Sequence, residues 1–363
     1  MEKINQSEEI KYPKTWSTLN NILKLSKNSL NINIPNENND NPLLIYIVTW
    51  NIHGKQPLNE HLSTLLPKNK FYHMYIIATQ ECMRTIPASF LSSSKELWEN
   101  QLKEYFGNSY DNLINSNLSA FHISVFVHSS IKNKFTNLQS GSVKTGFLNL
   151  MANKGCVAVA FEYLNKKICL IGCHLSSGEK NDDERNNDFE RINHELNFTP
   201  YENNKKEINI NFENKTDYFD IVIWAGDFNY RIESQNKEEI LKLIHESNCL
   251  KLIKNDGLHK QIKLGNIDIN HFQEGEIYFL PTYKFVEESN NYDASKRNPG
   301  YTDRILYKSR FINDLKLCEY SSYMDIKYSD HKPVYAVFQL NCNNQYYLSH
   351  KNLFIKNREC NIF

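Results

Sequence analysis

The sequence contains no long apolar run. No stretch within its 363 residues approaches the roughly 18 apolar residues that a membrane-spanning helix needs. The N-terminus is polar and lacks the apolar region of a signal peptide. These absences predict a cytoplasmic protein that reaches the cytosolic face of a membrane only as a peripheral protein.

Charge of one sign is not in excess, because Lys plus Arg and Asp plus Glu each number 42. Proteins that bind nucleic acid usually carry a positive field that attracts phosphate groups over a distance. The balanced composition therefore argues against nucleic acid as a partner.

The eight cysteines form no Cys-x-x-Cys pair, which is the spacing typical of zinc sites. A Cys-x5-Arg phosphatase loop is missing as well. Several cysteines fall in apparent core strands, as expected of reduced thiols in an intracellular protein. The sequence thus argues against zinc and against chemistry through a phosphoenzyme.

Composition divides the chain into three parts. Residues 1–41 are polar and rich in Asn, residues 42–341 carry the strand and helix patterns, and residues 342–363 form a tail. We interpret these as an N-terminal lead-in, a single domain and a C-terminal tail. One α/β domain of about 300 residues lies within the known range. No internal repeat is recognisable, and we expect a monomer.

Polar residues follow an apolar strand in the segment Trp224–Arg231. The preceding residues, 219–224, are β-branched or aromatic and predict a buried strand. This strand runs into Asp227, Asn229 and Arg231, which places them at a sheet edge, where α/β proteins keep their chemistry. Taken alone, Asp and Asn after Gly are equally typical of a simple turn.

Three further constellations have the same form. A predicted strand ends in His174, and Asp330-His331 lies just before another strand. The third constellation comprises two apolar strands that end in Asn51 and Glu81. One such residue is more often structural, but this many polar strand ends in one chain indicate a common site.

The residue types indicate a site built from hard oxygen ligands. Carboxylate and amide oxygens favour magnesium, which keeps water or substrate phosphate in its other positions. Metal-assisted phosphoester hydrolysis needs an ion on the phosphate, a carboxylate to activate water, and groups that stabilise developing charge. The chain offers all three kinds of group.

Two signatures give the chain a family resemblance. Trp224–Arg231 matches Trp-x-Gly-Asp-x-Asn-x-Arg, and Pro299–Leu306 matches Pro-x-[Trp/Tyr]-[Cys/Thr]-Asp-Arg-Ile-Leu. From about Leu43 to Leu340 the chain resembles the inositol polyphosphate 5-phosphatases, most of all the type IV, pharbin-like phosphatidylinositol polyphosphate 5-phosphatase. The segment His174–Gly178 departs from the common His-Leu-Ala-Ala-His pattern and resembles the variant of lipid-preferring members.

The resemblance implies the fold of DNase I, a four-layer α/β sandwich of two packed mixed β-sheets with flanking helices. It also implies a Mg²⁺-dependent phosphatase that removes the 5-phosphate of phosphoinositides by direct attack of water. Phosphatidylinositol 3,4,5-trisphosphate and 4,5-bisphosphate are the expected substrates. The alternatives are a soluble inositol polyphosphate 5-phosphatase, a nuclease or sphingomyelinase of the same fold, and an inactive phosphoinositide-binding module.

The resemblance further implies roles for individual residues. Glu81 is expected to bind the metal with Asn51, and Asp227 to deprotonate the attacking water. Asn229 is expected to hold the scissile phosphate. Further implied catalytic residues are His174 and His331, which stabilise phosphoryl charge, Asp303, which orients His331, and Asp330, which supports either the metal or His331.

Other residues match the family's contacts with the remaining phosphates. Asn153 and Lys154 resemble the loop that binds the 1-phosphate, although Ala152 replaces a Gly of that loop. The residues that match its 4-phosphate contacts are Tyr283, Lys284, Lys296 and Arg297. Arg304 is also assigned to the substrate, and Arg231 either contacts a phosphate or braces the site through an ion pair.

Two segments suggest contact with a membrane surface. The apolar residues Phe147–Met151 precede the Lys154 loop and suit either lipid insertion or coverage of the core. The chain ends in Cys360-Asn-Ile-Phe, which fits a prenylation box, although Asn at the second position is not aliphatic. The resemblance and this tail together predict a membrane-anchored enzyme whose partners include phosphoinositides and a prenyl-binding chaperone.

Overall fold

The computed structural model describes residues 42–56, 58–82, 91–146, 153–200, 210–234, 236–267, 269 and 272–342. The predicted N-terminal lead-in, the segment Phe147–Met151, and the tail from residue 343 onward with Cys360 lie outside the described residues. None of the described helices is both long and apolar enough to cross a membrane.

The described residues form thirteen β-strands: β1 (Leu43–Asn51), β2 (Met74–Gln80), β3 (Tyr110–Leu118), β4 (Phe121–His128), β5 (Phe135–Lys144), β6 (Gly155–Tyr163), β7 (Lys166–His174), β8 (Phe198–Pro200), β9 (Ile221–Asp227), β10 (Gln273–Glu274), β11 (Asp303–Ser309), β12 (Leu315–Ser322) and β13 (Val334–Leu340). They also form six α-helices: α1 (Asn59–Leu65), α2 (Leu91–Phe106), α3 (Asp182–Glu195), α4 (Lys237–His245), α5 (Cys249–Ile253) and α6 (Gly257–Leu264). Three short 3₁₀ helices lie at Gly107–Ser109, Ser129–Lys134 and Lys215–Tyr218.

The strands form two mixed sheets. The first has the spatial order β12-β13-β1-β2-β4-β3, and the second has the order β10-β11-β9-β7-β6-β5-β8. Within these sheets β1 is parallel to β2 and β7 is parallel to β9, whereas all the other neighbouring pairs are antiparallel.

The main hydrophobic core lies between the two sheets. Strand β1 shows why, because its residues alternate between two apolar environments. Ile45 and Ile47 belong to the cluster between the sheets, whereas Tyr46 and Val48 belong to a cluster on the outer face. All nine residues of β1 are therefore buried, as expected of a strand that is covered on both faces.

Helices cover the outer faces of both sheets. Leu62 of α1 and Trp98 of α2 pack on the outer face of the first sheet. Phe189 of α3 and Leu258 of α6 pack on the outer face of the second. The order helix, sheet, sheet, helix confirms the predicted four-layer sandwich of two mixed sheets.

The sequence pattern predicts a helix over residues 184–197 and a strand over residues 219–224, and both are present with shifted bounds. Helix α3 begins at Asp182 because carboxylates in its first turn interact favourably with the free N–H groups there. Strand β9 continues to Asp227 because Gly226 allows close approach to β7. A Cβ atom at Gly226 would lie 2.2 Å from the carbonyl oxygen of Cys173.

Candidate active site

Strand direction brings the polar residues to one edge of the molecule. The parallel strands β7 and β9 end side by side at His174 and Asp227, which are register partners. In the first sheet, the parallel strands β1 and β2 likewise end at Asn51 and Gln80, and Glu81 follows directly. The antiparallel neighbours start where these strands end, so that Asp303 at the start of β11 lies opposite Asp227.

These residues surround a cavity of about 270 Å³. Its lining residues are Asn51, His53, Glu81, Asn153, Lys154, His174, Ser177, Asp227, Asn229, Arg231, Tyr283, Arg297, Asp330 and His331. Most of the residues singled out in the sequence therefore meet at one place. Lys284, Lys296, Asp303 and Arg304 are not in this lining.

Asp227 lies at the centre of the site and is buried. Its Oδ2 accepts a hydrogen bond from Asn51 Nδ2 at 3.0 Å, and its Oδ1 accepts one from the backbone N–H of Asn229 at 3.0 Å. Burial alone raises the pKa of Asp227, but interactions with His174, His331, Lys154 and Arg231 outweigh it and lower the pKa to about 2. The carboxylate is therefore ionised at neutral pH.

His331 is held by a buried carboxylate behind it. Its Nδ1 lies 2.9 Å from Asp303 Oδ2, which also accepts hydrogen bonds from Thr282 Oγ1 at 2.7 Å and Thr302 Oγ1 at 2.9 Å. Burial lowers the pKa of His331, but Asp303 and Asp227 raise it more strongly, to about 9. A protonated imidazole therefore presents its Nε2 to the cavity, 3.9 Å from Asp227 Oδ2.

His174, in contrast to His331, is neutral. Burial and the neighbouring Lys154 lower its pKa to about 3, so the ring is neutral at physiological pH. The ammonium group of Lys154 contacts His174 Nε2, which also lies 3.3 Å from Asp227 Oδ2. Since an ammonium group only donates, the nearby ring nitrogen accepts this hydrogen bond. His174 therefore positions Lys154 rather than carrying a positive charge itself.

The oxygen donors in the cavity fit a hard divalent cation. Glu81 is partly exposed to the cavity, with its Oε1 4.0 Å from His174 Nε2. The Oδ1 of Asn51 accepts the backbone N–H of His53 at 3.0 Å and keeps a second lone pair. Carboxylate and amide oxygens of this kind suit Mg²⁺.

A second group of possible ligands comprises Asp227, Asp303 and His331, whose ligand atoms all lie within 4.8 Å of one another. In this group Asp303 Oδ2 is already occupied by the hydrogen bonds of two threonines and of His331. Asp303 and His331 are therefore better described as a hydrogen-bonded pair than as metal ligands, and Glu81 with Asn51 remains the better candidate.

One wall of the cavity combines aromatic and cationic groups. The Tyr283 ring packs against His331 with the ring centroids 4.4 Å apart and the planes tilted by 40°, and the Arg231 guanidinium lies 4.1 Å from the centre of the Tyr283 ring. Arg297 donates to Tyr283 Oη at 2.9 Å, and Arg231 donates to Asn229 Oδ1 at 2.5 Å. Arg231 thus braces Asn229 through a hydrogen bond rather than through the expected ion pair, and it also lines the cavity, so that contact with a phosphate stays a prediction.

The remaining predicted phosphate ligands differ in position. Lys284 forms an ion pair with Asp293 at 2.9 Å, and this carboxylate raises the pKa of Lys284. Lys296 is exposed. Asp330 lines the cavity with its Oδ1 3.3 Å from His53 Nδ1. Among the described residues His331 donates no hydrogen bond to the Asp330 carboxylate, but this carboxylate contributes to the raised pKa of His331. Support of the metal by Asp330 stays a prediction.

The assignment of Arg304 to the substrate is wrong. Its side chain is fully buried, and its NH1 and Nε atoms donate to Asp256 at 2.9 Å and to Glu274 at 2.6 Å. Two buried carboxylates therefore neutralise the guanidinium away from the cavity. The Asp303-Arg304 pair of the signature thus has two functions, because Asp303 orients His331 and Arg304 stabilises the fold.

Three cavity residues were missed or left undecided by the sequence reasoning, namely His53, Ser177 and Arg231. Each lies within four positions of a polar strand end, at Asn51, His174 and Asp227. That proximity was the available signal, because the loop that leaves a sheet edge continues along the same rim.

The comparisons with known proteins agree with this geometry. The model of the endonuclease/exonuclease/phosphatase family 2 matches residues 48–337. The chain therefore belongs to this family. The matched region contains the whole cavity and most of both sheets.

The curated relatives confirm the resemblance to inositol polyphosphate 5-phosphatases. The chain is 32% identical to mouse phosphatidylinositol polyphosphate 5-phosphatase type IV over 83% of its own length and 46% of the relative. It is 31% identical to phosphatidylinositol 4,5-bisphosphate 5-phosphatase INP51 of Saccharomyces cerevisiae, over 81% of the chain and 31% of the relative. The chain thus spans less than half the length of these relatives.

Solved structures confirm the fold. The inositol polyphosphate 5-phosphatase domain of a synaptojanin, in complex with inositol (1,4)-bisphosphate and calcium ion, is 27% identical with a TM-score of 0.70. The match covers 96% of this chain and 98% of that domain. A Cimex nitrophorin shares the fold at 21% identity with a TM-score of 0.65, over 83% of this chain and 99% of its own.

Proposed function

We propose that this domain hydrolyses the 5-phosphate of phosphoinositides with Mg²⁺ and by direct attack of water. One observation carries the proposal: the cavity joins an ionised carboxylate, Asp227, to a protonated imidazole, His331, which Asp303 holds in place. A phosphoester hydrolase needs this pairing of a group that accepts a proton from water with a group that stabilises phosphoryl charge.

Each residue then has a defined task. Asp227 orients the attacking water and takes its proton, and His331 donates a hydrogen bond to a phosphoryl oxygen. Asn229 is fixed by Arg231 and by the carbonyl of Leu175, to which its Nδ2 donates at 3.0 Å. A bound Mg²⁺ held by Glu81 and Asn51 would polarise a phosphoryl oxygen and so lower the barrier to attack.

Cationic groups lie on more than one side of the cavity. This arrangement supports a substrate that carries several phosphates. Lys154 contacts His174 on one side, and Arg297 lies beside Tyr283 on another. The names of the mouse and yeast relatives support phosphatidylinositol polyphosphates, with the 3,4,5-trisphosphate and 4,5-bisphosphate as the expected substrates. Lys284 and Lys296 are proposed to move toward a bound 4-phosphate. Lys284 can exchange its ion pair with Asp293 for the phosphate, and Lys296 is exposed.

A soluble substrate is the second candidate. The chain is 30% identical over 82% of its length to inositol-1,4,5-trisphosphate 5-phosphatase 1 of Schizosaccharomyces pombe, and it covers 27% of that relative. A soluble inositol phosphate of this kind presents the same phosphates to the cavity as a lipid head group does, but without the lipid.

The decisive experiment measures phosphate release with Mg²⁺ from a matched panel of long-chain phosphoinositides in vesicles, soluble inositol phosphates, plasmid DNA and sphingomyelin. We expect loss of the 5-phosphate from the lipids and at least a hundredfold lower kcat in Asp227→Asn, which keeps the size of the side chain. Asp220→Asn, at the opposite end of β9, is the control and should retain activity. Cleavage of DNA or sphingomyelin alone would contradict the proposal.

Peripheral membrane association through a prenylated Cys360 is part of the same proposal. A single prenyl chain binds membranes weakly, so the basic residues Lys356 and Arg358 are proposed to add attraction to anionic lipid. A prenyl-binding chaperone would then be a partner. Cys360→Ser should lower vesicle binding of the lipidated protein and leave hydrolysis of a soluble head group unchanged. Unchanged vesicle binding would refute this part alone.

A further inference from the structure

Helix α3 carries a buried arginine that none of the roles above uses. The side chain of Arg185 is fully buried, and its partner in the first turn of the helix is Asp182. Burial of a guanidinium costs free energy, which hydrogen bonds from its N–H groups to acceptors offset. The acceptors that Arg185 contacts therefore indicate what the residue does.

The first contact is with the loop that follows His174. Arg185 NH1 donates to the carbonyl oxygens of Ser176 at 3.3 Å and Gly178 at 2.7 Å. One turn further along α3, Asp188 accepts the backbone N–H of Ser176 at 2.7 Å. Helix α3 thus binds both the backbone N–H and the carbonyl oxygen of Ser176. Ser177, between these contacts, lines the cavity.

The second contact is with the segment that follows Asp227. The Arg185 guanidinium lies 5.2 Å from the centre of the Tyr230 ring, and Tyr230 Oη donates to Asn186 Oδ1 at 2.6 Å. Tyr230 is fully buried, whereas its two neighbours in the chain, Asn229 and Arg231, line the cavity. The same turn of α3 therefore also fixes this segment.

The two segments are joined to each other in the site. Asn229 Nδ2 donates to the carbonyl oxygen of Leu175 at 3.0 Å, and the backbone N–H of Leu175 donates to the carbonyl oxygen of Asp227 at 2.9 Å. A shift of the loop after His174 would therefore displace Asn229 and the backbone of Asp227 together.

We propose that Arg185 is a positioning residue that holds residues 175–178 and 229–231 in register and thereby sets the rate of the chemical step. The planar guanidinium of Arg185 donates to two loop carbonyls while it lies against the Tyr230 ring, and a Lys at this position would lose that rigid, planar arrangement of donors. The catalytic readout of this inference rests on the proposed phosphatase activity. Misplacement of reacting groups by about 1 Å costs on the order of a hundredfold in rate.

The first test compares Arg185→Lys with wild type in steady-state kinetics. The variant keeps the positive charge and loses the fork of donors, so we expect kcat to fall at least about tenfold while KM changes less than about threefold. A residue that only supported the fold would not lower kcat per folded molecule. Equal kcat in a folded variant would overturn the inference.

Arg310→Lys is the matched control. Arg310 also donates to two backbone carbonyls, of Asp217 and Phe219, and to one carboxylate, of Asp220, but it is half-exposed and lies at the opposite end of β9. Its replacement should lower stability at most and leave kcat unchanged. A similar loss of kcat in Arg310→Lys would also overturn the inference.

Tyr230→Phe keeps the inference testable if Arg185→Lys does not fold. It removes only the hydroxyl that binds Asn186, and we expect a several-fold lower kcat at nearly unchanged KM. Tyr75→Phe is its control, because Tyr75 is also buried and donates to a backbone carbonyl, that of Pro67, at 2.8 Å. Equal kcat in both variants would argue against the positioning role.

Hydrogen exchange provides a readout that is independent of activity. In Arg185→Lys the amides of residues 175–178 and 228–231 should exchange faster than in wild type, and in Arg310→Lys they should not. Unchanged exchange in both segments would refute the inference. A wild-type protein that releases no phosphate from any inositol compound would refute the proposed function instead, and exchange would still decide whether Arg185 holds the two segments.

Discussion

At the scale of single residues, the site depends on two groups whose pKa values are pushed in opposite directions. The pKa of Asp227 is lowered to about 2 by His174, His331, Lys154 and Arg231 despite its burial, and the pKa of His331 is raised to about 9 by Asp303 and Asp227 despite the same effect. Both are therefore charged at neutral pH. Environments that separate two titratable groups in this way are typical of acid–base pairs in enzymes.

The protonation of His331 predicts the alkaline limit of activity. We expect kcat to fall as pH rises through about 9, because the imidazole then loses the proton that stabilises phosphoryl charge. The raised pKa also contributes stability, which is fully present below the usual pKa of about 6.5 and is lost as pH rises through the folded value.

Asp303→Asn should move this limit to lower pH. Removal of the carboxylate lets the pKa of His331 fall toward or below its usual value, so kcat at pH 8 should drop at least about tenfold. The measurement is kcat between pH 6 and 10, with Asp220→Asn as the control for a buried aspartate elsewhere. An unchanged alkaline limb in Asp303→Asn would contradict the role assigned to Asp303.

At the scale of secondary structure elements, Arg304 links β11 to β10 and α6. Its partner Asp256 also caps α6, with its Oδ2 accepting the backbone N–H of His259 at 3.1 Å. Its other partner, Glu274, belongs to the two-residue strand β10. One guanidinium therefore joins a helix start and an edge strand to the strand that carries Asp303.

Arg304→Met should destabilise the domain by about 3 to 5 kcal/mol, because it leaves the carboxylates of Asp256 and Glu274 without the guanidinium that neutralises them. Urea unfolding at pH 7 measures this loss. Arg191→Met is the comparison, since Arg191 pairs with Glu195 on the surface of α3 and should cost less than about 1 kcal/mol. Equal losses in the two variants would contradict the structural role of Arg304.

The same variant should respond differently to acid. Burial raises the pKa of Glu274, but Arg304 lowers this pKa more strongly, to about 2. Its contribution to stability is present above its usual pKa of about 4.3 and is lost as pH falls through the folded value. The difference in stability between wild type and Arg304→Met should therefore shrink as pH falls from 6 to 3.

At the scale of the whole molecule, the hydrophobic core between the sheets lies apart from the proposed metal site. The core between the sheets is apolar and contains residues of both sheets, such as Ile47, Leu170 and Ile223. The oxygen ligands lie at the sheet edge, outside this cluster. We therefore expect the stability of the fold to depend little on a bound metal ion.

Treatment with a chelator should abolish activity and leave the structure intact. We expect phosphate release to fall to background in EDTA and to return with Mg²⁺, because no other group in the cavity supplies the same polarisation of the phosphate. Circular dichroism and the thermal unfolding midpoint should change little. Activity that persists after complete removal of divalent ions would contradict the assignment of Glu81 and Asn51.

The resemblance to a known family implied the fold class, whereas the strand-end pattern indicated most of the site for a physical reason. Buried strands have to be apolar along their length, so a polar residue at a strand end is conspicuous, as at Asn51, His174 and Asp227. Arg304 shows where this reasoning fails. Its partners Asp256 and Glu274 are 48 and 30 positions away in the chain. A local pattern cannot distinguish an arginine that faces a ligand from one neutralised by distant carboxylates.

The sequence by itself determined which strands are buried on both faces, where they end, and which chemical groups lie at those ends. Tertiary structure decided how the groups act, because pKa values and hydrogen-bond partners depend on distances between segments far apart in the chain. His331 and His174 illustrate the difference. Both follow from strand-end patterns, yet one is protonated beside Asp303 and the other is neutral beside Lys154. The packing of the two sheets brings His331 to Asp303, and the pairing of β6 with β7 brings Lys154 to His174.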